Sequence, residues 1–476
     1  MKYHSYRIPI VFPSGVAAGD GSDENVLRIA RNGLDEPILR GTAIAGVLRS
    51  LWHDYLSQEH GSDEVTAKVE AIFGRANDNV ADADCPSRIE ILDAVLGTEN
   101  QPMSVRTHHL RNRHTKTVVD GGLFSLEHSP PDTTATISIA VRDDGHYTEL
   151  AEQFIAVVQS VLRVGLSFGG SAARGVGVAY HSEVDSSLQR VFDLTKSDEY
   201  GDWLKSHDFI GTEDLQQQGY EPYILSDPLE LPILTISIPL RIPRGQDILV
   251  ADGAGLDYQQ EPQRIMNTAG ALLWRIPGST FRGAFRSWMT RLAALDGEPI
   301  ADTVTNHTNG TEEHQLLTGD NLAWCFLPKE QRTPEATTDC PIASLFGSAF
   351  SKGRILFEDC FVPASPEPNH NKSETLRKEE QHRMHVAIDA ISGGAIQGAL
   401  FDNTVLTSQC QENSEPFILR VRIVEPRKEE VTWFCKTLQS LNIGLLRIGS
   451  SKATGRLELC DDIVAAGPLA SELNAH

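Results

Sequence analysis

Residues 41–52 read GTAIAGVLRSLW, and residues 278–288 read GSTFRGAFRSW. The two stretches share their glycines, a hydroxyl side chain after the first glycine and an arginine at the same distance from it. Each stretch also has apolar residues at the three-to-four spacing of a helix with one buried face. One helix-start motif therefore occurs twice in one chain, which indicates a duplicated domain.

Three further motifs occur in the same order in both halves, which we call the first and second copies. The second motif joins a Phe-Gly pair to an Arg-Ile-x-Φ-x-Asp segment. The third runs from a histidine to a Leu-Phe pair, and the fourth is a glycine loop that we align without a gap. They occupy residues 72–74 with 88–93, 108–124 and 169–175 in the first copy, and 345–347 with 354–359, 385–401 and 449–455 in the second.

The length of 476 residues accommodates two domains and a linker. The repeats place the domains at residues 1–182 and 231–476, with a polar, acidic connector at 183–230 in which Leu188 to Leu204 could form a short helix. No apolar run approaches the roughly 20 residues of a membrane span, and the first residues lack the apolar stretch of a signal peptide. We therefore expect a cytoplasmic protein with no membrane partner.

Seven cysteines without a Cys-x-x-Cys pair argue against a disulfide framework or a zinc knuckle, so we expect most of them to be buried. The net charge of −23 argues against a protein that coats RNA nonspecifically, because phosphate binding usually needs a basic surface. This net charge is still compatible with a narrow basic track on the surface of an otherwise acidic protein.

Within each copy the order is strand, polar loop, helix, strand, hairpin, strand, helix, glycine loop and strand. This order predicts an α+β fold of the ferredoxin-like, or RRM-like, kind. The first helix follows Gly41 with Thr42 as its N-cap, and the later helices lie at 149–164 and 431–446. Residues 127–135 and 361–380 read as exposed loops.

The helix-start motifs are candidates for phosphate binding. The backbone N–H groups and the positive dipole end of a helix suit an anion, and Arg49 and Arg286 lie two turns further on. Ordinary helix capping is the alternative. The glycine loops, with Arg174 as the one bulky side chain of the first loop, allow a nucleic-acid backbone to approach closely, unless the glycines serve only a tight turn.

Together the four motifs resemble the RAMP superfamily, and the match is closest to the backbone subunit of type III CRISPR effector complexes. A tandem copy in one chain is similar to the fused backbone subunits of some type III-D complexes. The resemblance implies two RAMP domains with inserted thumb hairpins that lie along a CRISPR guide RNA. It also implies an endoribonuclease that cuts complementary target RNA at kinks, using an aspartate before the helix-start motif and a divalent cation.

The resemblance assigns catalysis to one loop in each copy. In the first copy Asp23 is our choice and Asp20 the alternative, and in the second copy Asp257 is our choice and Asp252 the alternative. A gap-free count back from the helix starts pairs Asp20 with Asp257. Asp23 and Asp257 would hold Mg²⁺ or Mn²⁺ during cleavage, and we expect no tightly bound cofactor. The alternative is that these aspartates only stabilise turns, which is common for aspartate in loops.

The resemblance and the local chemistry together give the RNA-binding candidates. They are Gly41, Thr42, Arg49, Arg111, Arg113, Lys116, Gly169, Gly170, Ser171, Arg174, Ser279, Arg282, Arg286, His385, Ser450, Ser451 and Lys452. Expected partners are guide RNA, target RNA and other effector subunits, namely neighbouring backbone subunits, a large polymerase-like subunit and small subunits.

The copies also differ. Thr454 replaces Arg174, and Arg111-Asn112 replaces Ile388-Asp389, so equal activity of both halves is not expected. A noncatalytic RNA-binding scaffold is the alternative function, and a guide-processing endoribonuclease is a third hypothesis.

Overall fold

The computed structural model covers most of the chain. It describes residues 2–19, 26–75, 86–99, 101–111, 118–145, 147–170, 172–182, 187–207, 219–225, 227–251, 260–298, 304–308, 311–315, 340–347, 352–365, 377, 379–389, 391–411, 416–449 and 454–474. In these ranges no helix combines the length and the apolar character needed to cross a membrane.

Within the described ranges, the first half of the chain contains twelve strands and four helices. The strands β1 to β12 are Lys2–Phe12, Val26–Leu27, Ile38–Leu39, Ile89–Ile91, Ala94–Val95, Ser104–Arg111, Val118–His128, Thr133–Asp143, Leu166–Ser167, Val178–His181, Leu188–Asp193 and Glu221–Pro222. The helices α1 to α4 are Gly41–Leu56, Ser62–Phe73, Thr148–Val164 and Ser197–His207.

The second half repeats this succession. Its strands β13 to β25 are Ile233–Arg241, Asp247–Ile248, Arg264–Met266, Leu272–Ile276, Val304–Thr308, Thr311–Gln315, Ile355–Phe357, Cys360–Pro363, Glu380–Ile388, Ala395–Thr407, Phe417–Val424, Glu458–Leu459 and Val464–Ala466. Its helices α5 to α8 are Gly278–Leu295, Pro341–Phe346, Lys428–Asn442 and Ala470–Asn474.

Each copy contains four antiparallel strands in the same order, within a sheet of seven described strands in the first copy and five in the second. The first copy arranges β4, β8, β1 and β10 side by side, and the second arranges β19, β23, β13 and β24. Two helices connect the strands in each copy, α1 and α3 in the first and α5 and α7 in the second. This is the ferredoxin-like plan, so the predicted fold class is confirmed for both copies.

The helices pack on one face of each sheet because strand and helix periodicities place apolar residues together. In β1 the alternate residues Ile8 and Ile10 are fully buried with Trp52 of α1 and Phe154 of α3. In the second copy Phe285 of α5 packs on Phe434 of α7, with ring centroids 5.3 Å apart. The cysteines at 340, 360, 410 and 435 are free and buried, as expected.

A long hairpin is inserted between the second and third strands of each ferredoxin-like sheet. The first consists of β6 and β7, and the second of β21 and β22, in which Glu380 pairs with Leu406 and His385 with Phe401. Asp389 shapes the tip of the second hairpin by accepting hydrogen bonds from Ile391 N and Ser392 N. These bonds also lower the pKa of Asp389. The Ile-Asp pair absent from the first copy thus has a local turn function here.

The chain divides into two compact units. The first unit contains Met1–Ser104, Glu127–Ala172 and Gly177–Leu231, and the second contains Val105–Leu126, Ala173–Val176 and Pro232–His476. The second unit thus includes most of the hairpin and part of the glycine loop of the first copy. The domain limits drawn from the repeats remain a prediction.

The connector adds structure to the first sheet. Leu188–Asp193 is a strand that pairs with β1 along Lys2 to Arg7, so the helix expected over 188–204 begins only at Ser197. Trp203 of α4 packs with Phe192 and Tyr220, and Tyr220 Oη lies 2.9 Å from Ser5 Oγ. The connector therefore occupies part of the sheet face that points away from α1 and α3.

Two other local predictions were wrong, and one helix was predicted with different bounds. Residues 127–135 include the ends of two long strands, and His128 and Thr133 are fully buried; Thr133 belongs to the first sheet, where it pairs with Phe12. Thr42 is inside α1, whose N-cap is Arg40, because the helix already begins at Gly41. The predicted helix 431–446 spans Lys428–Asn442, and the chain after it turns at Gly444, whose φ is +81°.

Two glycines of α5 provide a stability test. A Cβ on Gly278 would lie 2.1 Å from the carbonyl oxygen of Phe357, whereas a Cβ on Gly283 would meet nothing within 4 Å. We expect Gly278→Ala to lower the free energy of unfolding by about 3 kcal/mol through overpacking. Gly283→Ala should raise it by ~0.5–1 kcal/mol, because alanine favours a helix interior. Scanning calorimetry of both variants checks this, and equal melting temperatures would contradict it.

Candidate nucleic-acid interface

The first two motifs of each copy form one helix cap. Gly41 N donates a hydrogen bond of 2.7 Å to Asp93 Oδ1, and Gly278 N donates one of 2.8 Å to Asp359 Oδ1. The glycine is required because a Cβ at Gly41 would lie 2.3 Å from the carbonyl oxygen of Ile91. The aspartate that ends the Arg-Ile-x-Φ-x-Asp segment therefore occupies the first N–H group of the helix in both copies. The exposed Thr42 and Ser279 remain predicted RNA contacts.

The two capping aspartates differ in their surroundings. Asp93 is exposed, whereas the Asp359 side chain is fully buried. Arg275 Nε donates a hydrogen bond of 2.5 Å to Asp359 Oδ2, and Arg106 Nη1 lies 3.6 Å from the same oxygen. Gly175 O accepts a hydrogen bond of 3.3 Å from Asp359 N. Within the second unit, Asp359 thus connects α5 to the first hairpin and to the first glycine loop.

The backbone hydrogen bonds correct the gap-free alignment of the glycine loops. Phe168 N donates to Gly177 O at 2.7 Å, and Ile448 N donates to Gly455 O at 2.8 Å. Gly177 and Gly455 have φ values of +91° and +90°. Gly177, and not Gly175, is therefore the counterpart of Gly455. The first loop is two residues longer, and the extra length is the part that reaches Asp359.

Three arginines and two phenylalanines of the second unit form an arginine cluster, which consists of Arg174, Arg282, Arg286, Phe124 and Phe346. The Arg174 guanidinium carbon lies 4.5 Å from the centroid of the Phe124 ring. The corresponding distances to the Phe346 ring are 5.8 Å for Arg282 and 6.0 Å for Arg286. Arg282 also donates to the carbonyl oxygen of Phe346. The structure thus brings together Arg174 of the first copy with Arg282 and Arg286 of the second.

Two members of the arginine cluster, Arg174 and Arg282, repel each other. Burial lowers the pKa of Arg282, and the nearby charge of Arg174 lowers that pKa further. Burial also lowers the pKa of Arg174. Among the carboxylates that the structure describes, none forms an ion pair with Arg174 or Arg282. An anion bound between these guanidinium groups would relieve their mutual repulsion, and a phosphate matches their donor geometry.

The histidines of the third motif lie on the hairpins. The His108 ring stacks on the Phe124 ring with centroids 5.4 Å apart and an angle of 18°. His385 lies opposite Phe401 in the second hairpin, so both hairpins place a histidine and a phenylalanine in the same motif positions. In the first hairpin, the stacked His108 ring helps to hold the Phe124 ring in place, and the Arg174 guanidinium lies over the Phe124 ring.

The other RNA-binding candidates are dispersed. Arg49 is exposed on α1, and Gly169 and Gly170 are exposed at the start of the first glycine loop. Arg111 ends β6, but its side chain is outside the described part of the structure. Further candidates fall entirely outside the described residues, namely Arg113, Lys116, Ser171, Ser450, Ser451 and Lys452.

The four candidate catalytic aspartates, Asp20, Asp23, Asp252 and Asp257, also lie outside the described residues. Isolated bridges close both loops, Gly19 with Ile29 in the first copy and Ala251 with Pro262 in the second. Counted from these bridges, Asp20 corresponds to Asp252, because each directly follows the first bridge residue. Within the described ranges, no three His, Cys, Asp or Glu side chains are grouped closely enough to hold a metal ion.

Sequence reasoning did not assign a function to Arg106, Arg275, Phe124 or Phe346. The repeat could have indicated Arg106, since Arg106 and Arg383 both stand two residues before the histidine of the third motif. Arg275 has no such counterpart, because Ile38 stands at the equivalent place before α1. Its contact with Asp359 becomes apparent only in the folded chain.

The sequence profile of the RAMP superfamily matches residues 10–180 and 271–458, well over half of the chain. The chain therefore belongs to the RAMP superfamily and contains two RAMP regions in tandem. Members of this superfamily are generally CRISPR-associated RNA-binding proteins. No curated protein matches the sequence.

Proposed function

We propose that the chain is a backbone subunit of a type III CRISPR effector complex and binds guide RNA along two consecutive segments. This proposal rests on the arginine cluster of the second unit. Arg174 from the glycine loop of one copy and Arg282 from the helix start of the next copy lie close enough for one charge to lower the pKa of the other. A single strand of RNA that follows the two copies would pass both motifs in succession.

The chemistry of the arginine cluster favours a single-stranded RNA backbone. The planar guanidinium group of arginine binds phosphate oxygens through two parallel hydrogen bonds. The half-buried Phe124 ring contacts both the His108 ring and the Arg174 guanidinium, so it helps to hold Arg174 in place for such a contact. A basic track of this kind is compatible with the net charge of −23, because the charges far from the track are screened by salt.

We also propose that the subunit cuts complementary target RNA with the aspartates of its two loops and with Mg²⁺ or Mn²⁺. A divalent cation would stabilise negative charge on the phosphate that is being cut. Gly19 and Ala251, which form isolated bridges, directly precede Asp20 and Asp252 in the sequence, and this supports a sequence match between the two aspartates. Target RNA and the other effector subunits, including neighbouring backbone subunits, a large polymerase-like subunit and small subunits, are the partners that this function requires.

The cleavage proposal is tested in the assembled complex with its guide RNA and a labelled complementary RNA. We expect alanine at both positions of the active pair, either Asp23 with Asp257 or Asp20 with Asp252, to remove at least two specific cuts. The loss should exceed about 100-fold in rate, because the groups that hold the metal ion would be gone. Gel analysis of the products identifies which cut depends on which loop.

Asp54→Ala, an exposed change on α1, is the matched control and should leave all cuts in place. If every cut survives both double substitutions while guide RNA remains bound, the chain is a noncatalytic scaffold and the cleavage proposal is wrong.

A further inference from the structure

The first glycine of each glycine loop lies directly on the backbone of another segment of its own copy. A Cβ on Gly169 would lie 2.3 Å from the carbonyl oxygen of Ala17, and a Cβ on Gly449 would lie 2.5 Å from the carbonyl oxygen of Leu249. Both glycines also have positive φ values, +73° and +123°. A side chain at either position would therefore displace the segment that the glycine touches.

The far end of each glycine loop holds the same segment at a second point. Gly177 N donates a hydrogen bond of 2.8 Å to Gly15 O, and Gly455 N donates one of 2.8 Å to Asp247 O. In both copies this acceptor stands two residues before the residue that the first glycine meets. The two glycine loops thus hold their segments at equivalent positions, although the first loop is two residues longer.

The segments that the glycine loops hold lead into the stretches that contain the candidate catalytic aspartates. Ala30 N donates a hydrogen bond of 3.2 Å to Ala18 O, and Gln263 N donates one of 3.2 Å to Val250 O. Each bond joins the residues on the two sides of an aspartate-containing stretch, and we call these joined segments the loop stems. The loop stems are residues 15–18 with Ala30 in the first copy and residues 247–250 with Gln263 in the second.

We propose that Gly169 and Gly449 are positioning residues that hold the loop stems in place for cleavage. This inference rests on the proposed cleavage of target RNA, and it gives the two glycines a contact within the chain in addition to any contact with RNA. A displaced loop stem shifts the two ends of the stretch that carries the aspartates. A misplacement of about 1 Å can slow an enzyme by about 100-fold, even when the changed residue is remote from the reacting atoms.

Single-turnover cleavage by guide-loaded complexes at saturating target RNA tests the proposal. We expect Gly169→Ala to slow the cut that depends on the first-copy aspartates by about 10- to 100-fold and to leave the affinity for target RNA unchanged. The cut that depends on the second copy should continue, which also shows that the variant is folded. Gly449→Ala should have the opposite pattern. Equal slowing of both cuts by either variant, or a loss of target affinity without a slower cut, overturns the proposal.

Gly145→Ala is the matched control, because Gly145 also has a positive φ, +85°, but a Cβ there would meet nothing within 4 Å. It should leave both cuts unchanged. Hydrogen exchange of the full chain without RNA supplies a measurement that needs no cleavage. Gly169→Ala should speed exchange of the Ala30 amide by about tenfold, whereas Gly145→Ala should not. An unmodified complex that makes no cut disproves the cleavage proposal, whereas unchanged Ala30 exchange in Gly169→Ala disproves the positioning contact.

Discussion

Replacing both Arg174 and Arg282 with alanine is expected to weaken guide RNA binding by about 100-fold. Each guanidinium contributes one charge-assisted phosphate contact, and two such contacts are together worth about 3 kcal/mol. The dependence of log affinity on log salt should also become shallower by roughly 1.4, since each phosphate contact of a single strand contributes about 0.7. Fluorescence anisotropy with a labelled CRISPR RNA at several salt concentrations measures both quantities.

Arg291→Ala is the control for this pair. Arg291 lies on the same helix as Arg282 but is exposed on another side, where it lies 5.5 Å from the Trp288 ring centroid. Its loss should change affinity by less than about threefold, the range of an exposed charge outside the binding surface. If the double variant and Arg291→Ala weaken binding equally, guide RNA does not bind at the arginine cluster.

Removing the Asp359 carboxylate is expected to cause the largest loss of stability in the second unit. Asp359→Ala would leave the buried Arg275 without its carboxylate and Gly278 N without an acceptor. Breaking a buried ion pair by removing one partner costs about 3–5 kcal/mol. Hydrogen exchange measured by mass spectrometry should therefore show faster exchange in the first turns of α5.

The first copy supplies the matched comparison. Asp93→Ala removes an exposed carboxylate that caps α1, so it should cost about 1 kcal/mol, the usual value of a helix cap. The peptide that begins at Gly41 should show correspondingly less acceleration than the peptide that begins at Gly278. Equal acceleration in both peptides would contradict the difference in burial that the structure assigns to the two aspartates.

The sequence predicted the elements of each copy well because strand and helix periodicities are local. Ile44, Leu48 and Trp52 are buried along α1, as their three-to-four spacing indicates. The connector was predicted less well, since Leu188 to Asp193 is short and does not alternate polar and apolar residues as a strand with one buried face does. Its pairing with β1 depends on a strand nearly 190 residues earlier, which local spacing does not reveal.

The candidate interface was predicted only in part. The repeated motifs indicated Arg174, Arg282 and Arg286 as RNA contacts, and the structure places these three residues together in one unit. The sequence did not reveal that the aspartate of the second motif caps the helix of the first, because that contact joins segments 52 residues apart in the first copy. The two-residue extension of the first glycine loop was also missed, since a gap-free alignment already pairs two glycines, Gly175 and Gly455, and so gives no reason to introduce a gap.

The central claim is that one guide RNA passes the glycine loop of the first copy and the helix start of the second. A cryo-EM map of the chain bound to its CRISPR RNA tests this most directly. We predict a phosphate within hydrogen-bond distance of both Arg174 and Arg282, next to the Phe124 ring. Guide RNA bound with both guanidinium groups remote from every phosphate would contradict the claim.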